Sequence, residues 1–308
     1  MTILAGDIGG THTRLAIFNG KKIVKEKKYL SQQFSGLSQV LQDFLTEKVD
    51  CACFGIAGPV AQGRCNATNL PWTLDASEIA QTLKIPQVYL INDLEATAWG
   101  ISSLNESQFL NLNEGKTQKG NQAVIAAGTG LGESGLYWDG TSHHPFPCEG
   151  GHVDFAPRDE REEKLLHYLR KKYGHVSYER AISGPGIENL YRFLNGEEET
   201  TSFLVTEKAL SGQSEICIDA LHWFISLYGS EAGNLALKFL AVGGVYIAGG
   251  IAIKIAEMLK NGIFMKAFCD KGRFRSFLSS IPVKVVLADD AALLGAAVYV
   301  EKKNVYFK

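Results

Sequence analysis

A polar, glycine-rich turn follows the first apolar segment of the chain. Asp7 closes that segment, and Gly9, Gly10 and Thr11 come directly after it. Glycine lets backbone N–H groups approach a ligand closely, and such a turn suits phosphate oxygens. A carboxylate beside the turn suits a hydrated Mg²⁺ ion. The alternative is a simple hairpin in which Asp7 is a turn residue.

A second turn of the same kind lies about 120 residues later. Gly128, Thr129 and Gly130 separate two more apolar segments. Two glycine turns in matching strand contexts offer two backbone cradles for one polyphosphate. The repeat of strand, glycine turn and strand also predicts two related α/β lobes.

Asn92 and Asp93 stand at the end of a buried apolar segment, residues 87–92. The carboxyl ends of strands are where α/β sheets present groups to ligands. There, Asp93 is suited to accept a hydroxyl proton and Asn92 to hold a neighbouring hydroxyl. The alternative is that this pair only caps the helix that follows.

Glu149 and His152 flank Gly150 and Gly151 in another flexible, polar stretch. Carboxylates accept paired hydrogen bonds from vicinal hydroxyls, and histidine donates or accepts. This pattern suits a sugar, and a plain surface loop is the alternative. Metal binding by these and the other nearby histidines is disfavoured, because no thiol pairs accompany them.

Two further glycine patterns do not fit the nucleotide-binding motifs they suggest. Gly115-Lys116-Thr117 lacks the earlier glycine of a P-loop, because position 110 is leucine. Gly130, Gly132 and Gly135 match the dinucleotide fingerprint in spacing, but a strand-like segment follows where a helix should begin.

Apolar periodicity predicts alternating strands and helices, and therefore an α/β protein. Strands are expected over residues 2–8, 13–18, 21–29, 51–57, 87–92, 109–113, 123–128, 134–140, 245–249 and 283–288. Helices are expected over residues 35–48, 76–84, 160–173, 185–195, 214–240, 251–260 and 290–302, with another beginning near Leu94. Residues 200–212 have no assignment.

Composition narrows the class of protein. The 308 residues carry a formal net charge of −2, which gives no electrostatic reason to expect nucleic acid. No segment approaches the roughly 20 consecutive apolar residues of a membrane span. The acidic Asp7 falls where a signal peptide would need its apolar segment. A cytoplasmic location is therefore expected. Cys51 and Cys53 are expected to be reduced and buried on one face of a strand.

The ordered set of motifs resembles that of bacterial glucokinases, from about residue 2 to residue 300. The matching segments are Asp7-Ile8-Gly9-Gly10-Thr11, Asn92-Asp93, Gly128-Thr129-Gly130-Leu131-Gly132, Glu149-Gly150-Gly151-His152, Ser177-Tyr178-Glu179-Arg180, Ser183-Gly184-Pro185-Gly186 and Ala248-Gly249-Gly250-Ile251. The resemblance implies two actin-like (ribonuclease H-like) lobes with mixed β-sheets flanked by helices, and an active site in the interlobe cleft. The small lobe would be residues 1–104 plus about 290–308, and the large lobe about 105–289.

The resemblance also implies ATP-dependent phosphorylation of glucose at its 6-hydroxyl, with Asp93 as general base. The implied sugar-binding residues are Asn92, Asp93, Glu149, His152 and Glu179. The implied Mg-ATP residues are Asp7, which would hold Mg²⁺ through water, with Gly9, Gly10, Thr11, Gly128, Thr129, Gly130, Gly249 and Gly250. A homodimer is expected, since it is common among similar kinases.

Three other functions stay open on the sequence. They are a kinase for another hexose (mannose or an N-acetylated amino sugar), a non-catalytic sugar sensor, and an actin-like filament protein. The repressor/ORF/kinase family looks similar at the first turn but carries a cysteine-rich zinc motif after its histidine. Here His152 is followed by no cysteine until Cys217, so no structural zinc is expected.

Overall fold

The structure is a computed structural model that describes residues 1–68, 70–196 and 198–306. The described residues divide into two compact units. Unit 1 takes its residues from Met1–Glu106, Pro145–Pro147 and Ala288–Lys308, and unit 2 from Ser107–His144 and Cys148–Leu287.

Both units combine sheets with helices. The strands are β1 (Thr2–Ile8), β2 (His12–Asn19), β3 (Lys22–Leu30), β4 (Cys51–Ile56), β5 (Val60–Ala61), β6 (Arg64–Asn66), β7 (Thr73–Asp75), β8 (Gln87–Asn92), β9 (Phe109–Asn113), β10 (Gln122–Ala127), β11 (Leu131–Trp138), β12 (His143–Cys148), β13 (Gly244–Ala248) and β14 (Val283–Val286). The α-helices are α1 (Leu37–Phe44), α2 (Ala76–Leu83), α3 (Asp93–Ile101), α4 (Glu160–Tyr173), α5 (Gly184–Asn195), α6 (Ser202–Leu210), α7 (Glu215–Phe239), α8 (Gly250–Lys254), α9 (Ala256–Leu259), α10 (Ile263–Cys269), α11 (Arg275–Ser279) and α12 (Ala291–Tyr306).

The main sheet of unit 1 has the strand order β3-β2-β1-β4-β8. Strands β1, β4 and β8 run parallel, and β2 and β3 run antiparallel to their neighbours. β4 is buried along its whole length, as expected for a parallel strand covered on both faces. The predicted burial of Cys51 and Cys53 on this strand is confirmed. The parallel ladders bring the carboxyl ends of β1, β4 and β8 to one edge of the sheet.

Helices α3 and α12 pack closely in unit 1 because two glycines lie at their contact. A Cβ atom on Gly100 would lie 1.9 Å from the carbonyl oxygen of Ala291, and one on Gly295 would lie 1.7 Å from that of Ala96. Neither backbone oxygen can be moved easily. The position of α3, whose first residue is Asp93, therefore depends on these two glycines.

The six-stranded sheet, most of whose residues lie in unit 2, has the order β12-β11-β10-β13-β14-β9. β10 forms an antiparallel hairpin with β11 and runs parallel to β13, as β1 does with β2 and β4. The sequence repeat therefore corresponds to a repeated topology. The hydroxyl of the buried Tyr228, on α7, accepts the Ala127 N–H at 3.1 Å and donates to the Ile125 carbonyl at 3.1 Å. These two hydrogen bonds fix α7 to the carboxyl end of β10.

Most predicted elements are present with small changes at their ends, and four differences matter. The helix predicted over residues 35–48 ends at Phe44, and the one predicted over 251–260 is broken at Ile255 into α8 and α9. β11 begins at Leu131, directly after the second glycine turn, and not at residue 134. The unassigned residues 200–212 contain α6. Among the described residues, no helix combines the length and apolar character needed to cross a bilayer.

Candidate active site

The predicted site residues fall into two sets, one in each unit. We call the set in unit 1 the Asp93 site; its members are Asp7, Gly9, Gly10, Thr11, Asn92 and Asp93. We call the set in unit 2 the Glu179 site; its members are Gly128, Thr129, Gly130, Glu149, His152, Glu179, Gly249 and Gly250.

The first glycine turn is held closed by a serine from the segment after β3. The Gly9 N–H donates to the His12 carbonyl at 2.9 Å, and the Ser31 hydroxyl donates to the Gly9 carbonyl at 2.8 Å. The Ser31 N–H donates to the Thr11 carbonyl at 3.0 Å. Ser31 is fully buried and also lies 3.0 Å from the hydroxyl of Thr13. The turn is therefore pre-organised before any ligand binds.

Asp7 and Asp93 influence each other electrostatically at the edge of the unit 1 sheet. Burial first, and then the Asp93 carboxylate, raise the pKa of Asp7 to about 7. Arg14 and Lys28 act in the opposite direction, and the strand register places Arg14 opposite Asp7 and Lys28 opposite Arg14. The site thus concentrates negative charge that its own cations compensate only in part.

Asn92 and Asp93 join β8 to α3. The side-chain oxygen of Asn92 accepts the N–H groups of Leu94 and Glu95 at 2.9 and 3.3 Å, so Asn92 is the N-cap of α3. Its amide nitrogen donates to the Gly58 carbonyl at 3.2 Å. The capping alternative is therefore realised for Asn92. A contact with sugar would need the second amide hydrogen, because the other groups of this side chain are engaged.

Asp93 is the first residue of α3 and is partly buried. Its Oδ1 accepts the Leu94 N–H at 2.9 Å. Gly55, on β4, allows α3 to approach the sheet, because a Cβ atom there would lie 2.9 Å from the Ala96 methyl. The carboxylate of Asp93 thus follows directly from the carboxyl edge of the sheet, as the sequence predicted for this pair.

The residues of the Asp93 site fit a bound Mg²⁺ ion. The Asp93 carboxylate raises the pKa of Asp7, so the site favours a nearby cation, and carboxylate oxygen is a preferred ligand of Mg²⁺. Asp7 is the residue that would hold the ion, directly or through water. No group of three or more His, Cys, Asp or Glu side chains able to bind a metal occurs among the described residues.

The second glycine turn is fixed at both ends of its backbone. The Gly128 N–H donates to the Gly130 carbonyl at 2.8 Å, and the Gly184 N–H donates to the Gly128 carbonyl at 2.8 Å. Gly249 has a φ of +90°, and a Cβ atom there would lie 2.6 Å from the Ala127 carbonyl oxygen. The predicted phosphate turn and the predicted adenosine residues are therefore neighbours at the carboxyl ends of β10 and β13.

Glu179 connects the second glycine turn to the predicted sugar residues. Its Oε2 accepts the Leu131 N–H at 3.0 Å, and a Cβ atom on Gly130 would lie 2.5 Å from the same oxygen. The Nε2 atom of His152 lies 4.0 Å from Oε2 of Glu179 and 4.0 Å from Oε2 of Glu149. Within unit 2, the structure therefore brings together three of the five residues predicted to bind sugar.

These three side chains differ in exposure. The side chain of Glu179 is 22% exposed, whereas those of Glu149 and His152 are 54% and 55% exposed. Glu179 is held in place by the backbone, and the other two side chains are open to a ligand. Such an arrangement of two carboxylates and an imidazole can receive several hydroxyl groups at once.

Sequence reasoning missed Ser31, Arg14 and the position of Gly184. Arg14 could have been found, because a short turn after β1 places residues 7 and 14 opposite each other in a hairpin. Ser31 carried no signal, since a lone serine after a strand is common. The two other histidines near His152 in sequence contact other groups: His144 pairs with Asp139 at 2.7 Å, and His143 lies 3.0 Å from the Gly120 carbonyl.

Comparison with known proteins identifies the family. A sequence model of the family described as Glucokinase matches residues 4–303. The glucokinase of Nostoc sp. is 42% identical over 333 aligned residues, covering 96% of this chain and 97% of the relative.

Solved structures agree with this similarity. A glucokinase from an Antarctic psychrotroph has a TM-score of 0.86 at 33% identity and covers 98% of this chain and 99% of its own. A glucokinase from Balamuthia mandrillaris, solved in complex with glucose, has a TM-score of 0.84 at 24% identity and covers 98% and 93%. The resemblance predicted from the motifs is confirmed, and so is the mixed α/β fold. The chain belongs to the glucokinase family.

Proposed function

We propose that this protein transfers the terminal phosphoryl group of ATP to the 6-hydroxyl of glucose, giving glucose 6-phosphate and ADP. The observation that carries the proposal is the placement of Asp7 and Asp93 at the carboxyl ends of the parallel strands β1 and β8 of one sheet, where the charge of Asp93 raises the pKa of Asp7. Phosphoryl transfer to a hydroxyl needs a carboxylate near the attacking oxygen and a second one near the metal that accompanies the phosphates. The Asp93 site supplies both.

Asp93 is the proposed general base. It accepts the proton of the 6-hydroxyl as the oxygen attacks phosphorus, and Asn92 orients a neighbouring hydroxyl with its second amide hydrogen. Glu149, His152 and Glu179 bind further hydroxyls of the hexose. This assignment is supported by their clustering in unit 2, where Nε2 of His152 lies 4.0 Å from a carboxylate oxygen of each glutamate.

The phosphates are proposed to bind the backbone of both glycine turns, Gly9-Gly10-Thr11 and Gly128-Thr129-Gly130. Adenosine is proposed to bind at Gly249 and Gly250, which adjoin the second turn. Mg²⁺, held at Asp7, would supply charge compensation for the phosphates. Support comes from the hydrogen bonds that order both turns. Because the backbone of each turn is already ordered, phosphate binding does not have to offset the entropy cost of ordering it.

The lobes, the assembly and the location are also proposals. We propose that units 1 and 2 are the two lobes of the fold and that both sites serve the same reaction. A homodimer and a cytoplasmic location, both expected for such a kinase, complete the proposal.

The test is a coupled ADP-release assay across a panel of sugars. Glucose should give the highest kcat/KM, with mannose and N-acetylated amino sugars well below it. A higher kcat/KM for another hexose would identify a different sugar kinase. Sugar binding without ADP release would identify a sensor, and nucleotide-dependent sedimentation without sugar binding would identify a filament protein.

A further inference from the structure

Glu133 is a buried acid that the proposed reaction does not use. It lies on β11, three residues after Gly130 at the end of the second glycine turn, and it is 1% exposed. Neither of its carboxyl oxygens has a hydrogen-bond partner among the described residues. A buried carboxyl group without partners is costly, so its position calls for a reason.

The turn of residues 149–152 rests directly on β11. A Cβ atom on Gly150 would lie 1.8 Å from Oε2 of Glu133, and one on Gly151 would lie 2.0 Å from the Leu131 carbonyl oxygen. The two glycines therefore allow the turn to pack closely against the strand, so that the Glu133 carboxyl group contacts the Gly150 backbone. The same turn carries Glu149 and His152, both exposed for sugar binding.

The groups that face Glu133 disfavour its ionised form. On α7, Glu231 is fully buried, and its carboxylate is already paired with Lys238 at 3.1 Å and Asn234 at 2.7 Å. Burial first, and then Glu231, raise the pKa of Glu133 to about 8, and Lys238 lowers it only in part.

The other titratable groups beside Glu133 do not supply a compensating cation. They are Tyr228 on α7 and Cys148 and Glu149 at the turn. Burial raises the pKa of the Tyr228 hydroxyl and of the Cys148 thiol, so both are neutral at pH 7. Glu149, a carboxyl group, offers no positive charge.

We propose that Glu133, in its neutral form, is a positioning residue that holds the turn of residues 149–152 in the conformation that binds the sugar. A neutral carboxyl group can pack against the Gly150 backbone, because it places no buried charge beneath the turn. Loss of the proton puts a second buried negative charge next to Glu231. The turn must then move away from Glu133, and Glu149 and His152 move with it.

The expected effect is a pH-dependent loss of sugar affinity. If only the neutral form is competent, the apparent Kd increases as the competent fraction falls. For a pKa of about 8, this gives roughly a tenfold rise in the glucose Kd between pH 7 and pH 9. The inference rests on the proposed glucose kinase function, and binding measured without ATP tests it apart from turnover.

The experiment is calorimetric titration of the full chain with glucose at pH 7, 8 and 9. Wild type should lose affinity about tenfold, whereas Glu133→Gln, which stays neutral and keeps the size of the side chain, should change less than twofold. Glu257→Gln is the matched control, because Glu257 is exposed and pairs only with Lys260 across the described residues. This control should follow wild type.

A wild-type Kd that changes less than twofold, or an equal rise in Glu133→Gln, overturns the inference. Thermal unfolding of each variant at each pH checks that the chain stays folded. Failure of the proposed function looks different. In that case, wild type shows no glucose binding at pH 7 and no glucose-dependent ADP release at any pH.

Discussion

The carboxylate of Glu179 accepts the backbone N–H of Leu131 at 3.0 Å. One hydrogen bond thus joins a residue predicted to bind sugar to the strand that begins at the end of a predicted phosphate turn. Gly130, inside that turn, lies against the same oxygen. Sugar binding and nucleotide binding are therefore expected to be coupled within unit 2 through Glu179, and not through Glu149.

Replacing Glu179 should impair both substrates. Glu179→Ala removes a charge-assisted hydrogen bond, which contributes about 1.5–3 kcal/mol, and leaves the Gly130 turn less ordered. We expect KM to rise about tenfold or more for glucose and by severalfold for ATP. Glu149→Ala is the matched variant, because it removes an exposed carboxylate. Among the described residues, Glu149 makes no hydrogen bond to the turn of residues 128–130, so only the glucose KM should rise. Steady-state kinetics with each substrate varied in turn measures the difference. An unchanged ATP KM in Glu179→Ala would contradict the coupling.

Glu133 should make the protein less stable as the pH rises. Its pKa is about 8 in the folded state against an ordinary value of 4.5 for a glutamate, so the folded chain binds more protons between these values. Stability gained from this group is therefore fully present below pH 4.5 and declines as the pH rises toward 8. Glu133→Gln lacks this dependence. Relative to wild type, its free energy of unfolding should increase by about 3 kcal/mol between pH 5 and pH 8. Urea unfolding at the two pH values checks this, and parallel pH profiles for the two proteins would show that Glu133 is not protonated in the fold.

The contact between α3 and α12 should control the position of Asp93. Gly295→Ala forces a methyl group against the Ala96 carbonyl oxygen, so the helices must separate. We expect a loss of stability of about 1–3 kcal/mol, and a fall in kcat that exceeds any change in the ATP KM. Gly36→Ala is the control, because no atom lies within 4 Å of a Cβ atom built there. Thermal unfolding and kinetics on both variants test the prediction, and a stable Gly295→Ala variant with normal kcat would refute it.

Local patterns predicted the elements well, because they depend on short-range periodicity. The pair Asp75 and Glu78 has the spacing of a capping box at the start of α2, and the Asp75 side chain accepts the N–H groups of Ser77 and Glu78. Segment 200–212 gave no assignment because α6 has apolar residues on its exposed side, including Phe203 and Leu204. Such a pattern hides the periodicity that marks a surface helix.

Contacts between distant segments could not be predicted from one sequence. The motif Glu149-Gly150-Gly151-His152 was visible, but its support by Glu133 and Leu131 was not, because β11 is one of many strands that could lie beneath it. Ser31 likewise reaches Gly9 across 22 residues, and nothing in its local sequence marks it. For Asn92, a capping and a binding role were both open, and only the structure shows that its oxygen is occupied by capping.

The central claim is that Asp93 removes the proton of the sugar hydroxyl, and its most direct test is the kcat of Asp93→Asn. General-base catalysis contributes about 10²–10⁴-fold, so kcat for glucose should fall by at least about a hundredfold. The substituted side chain keeps its size and its bond to the Leu94 N–H, so unfolding and the glucose Kd should stay close to wild type. A kcat within a few-fold of wild type, in a folded variant that still binds glucose, would contradict the account.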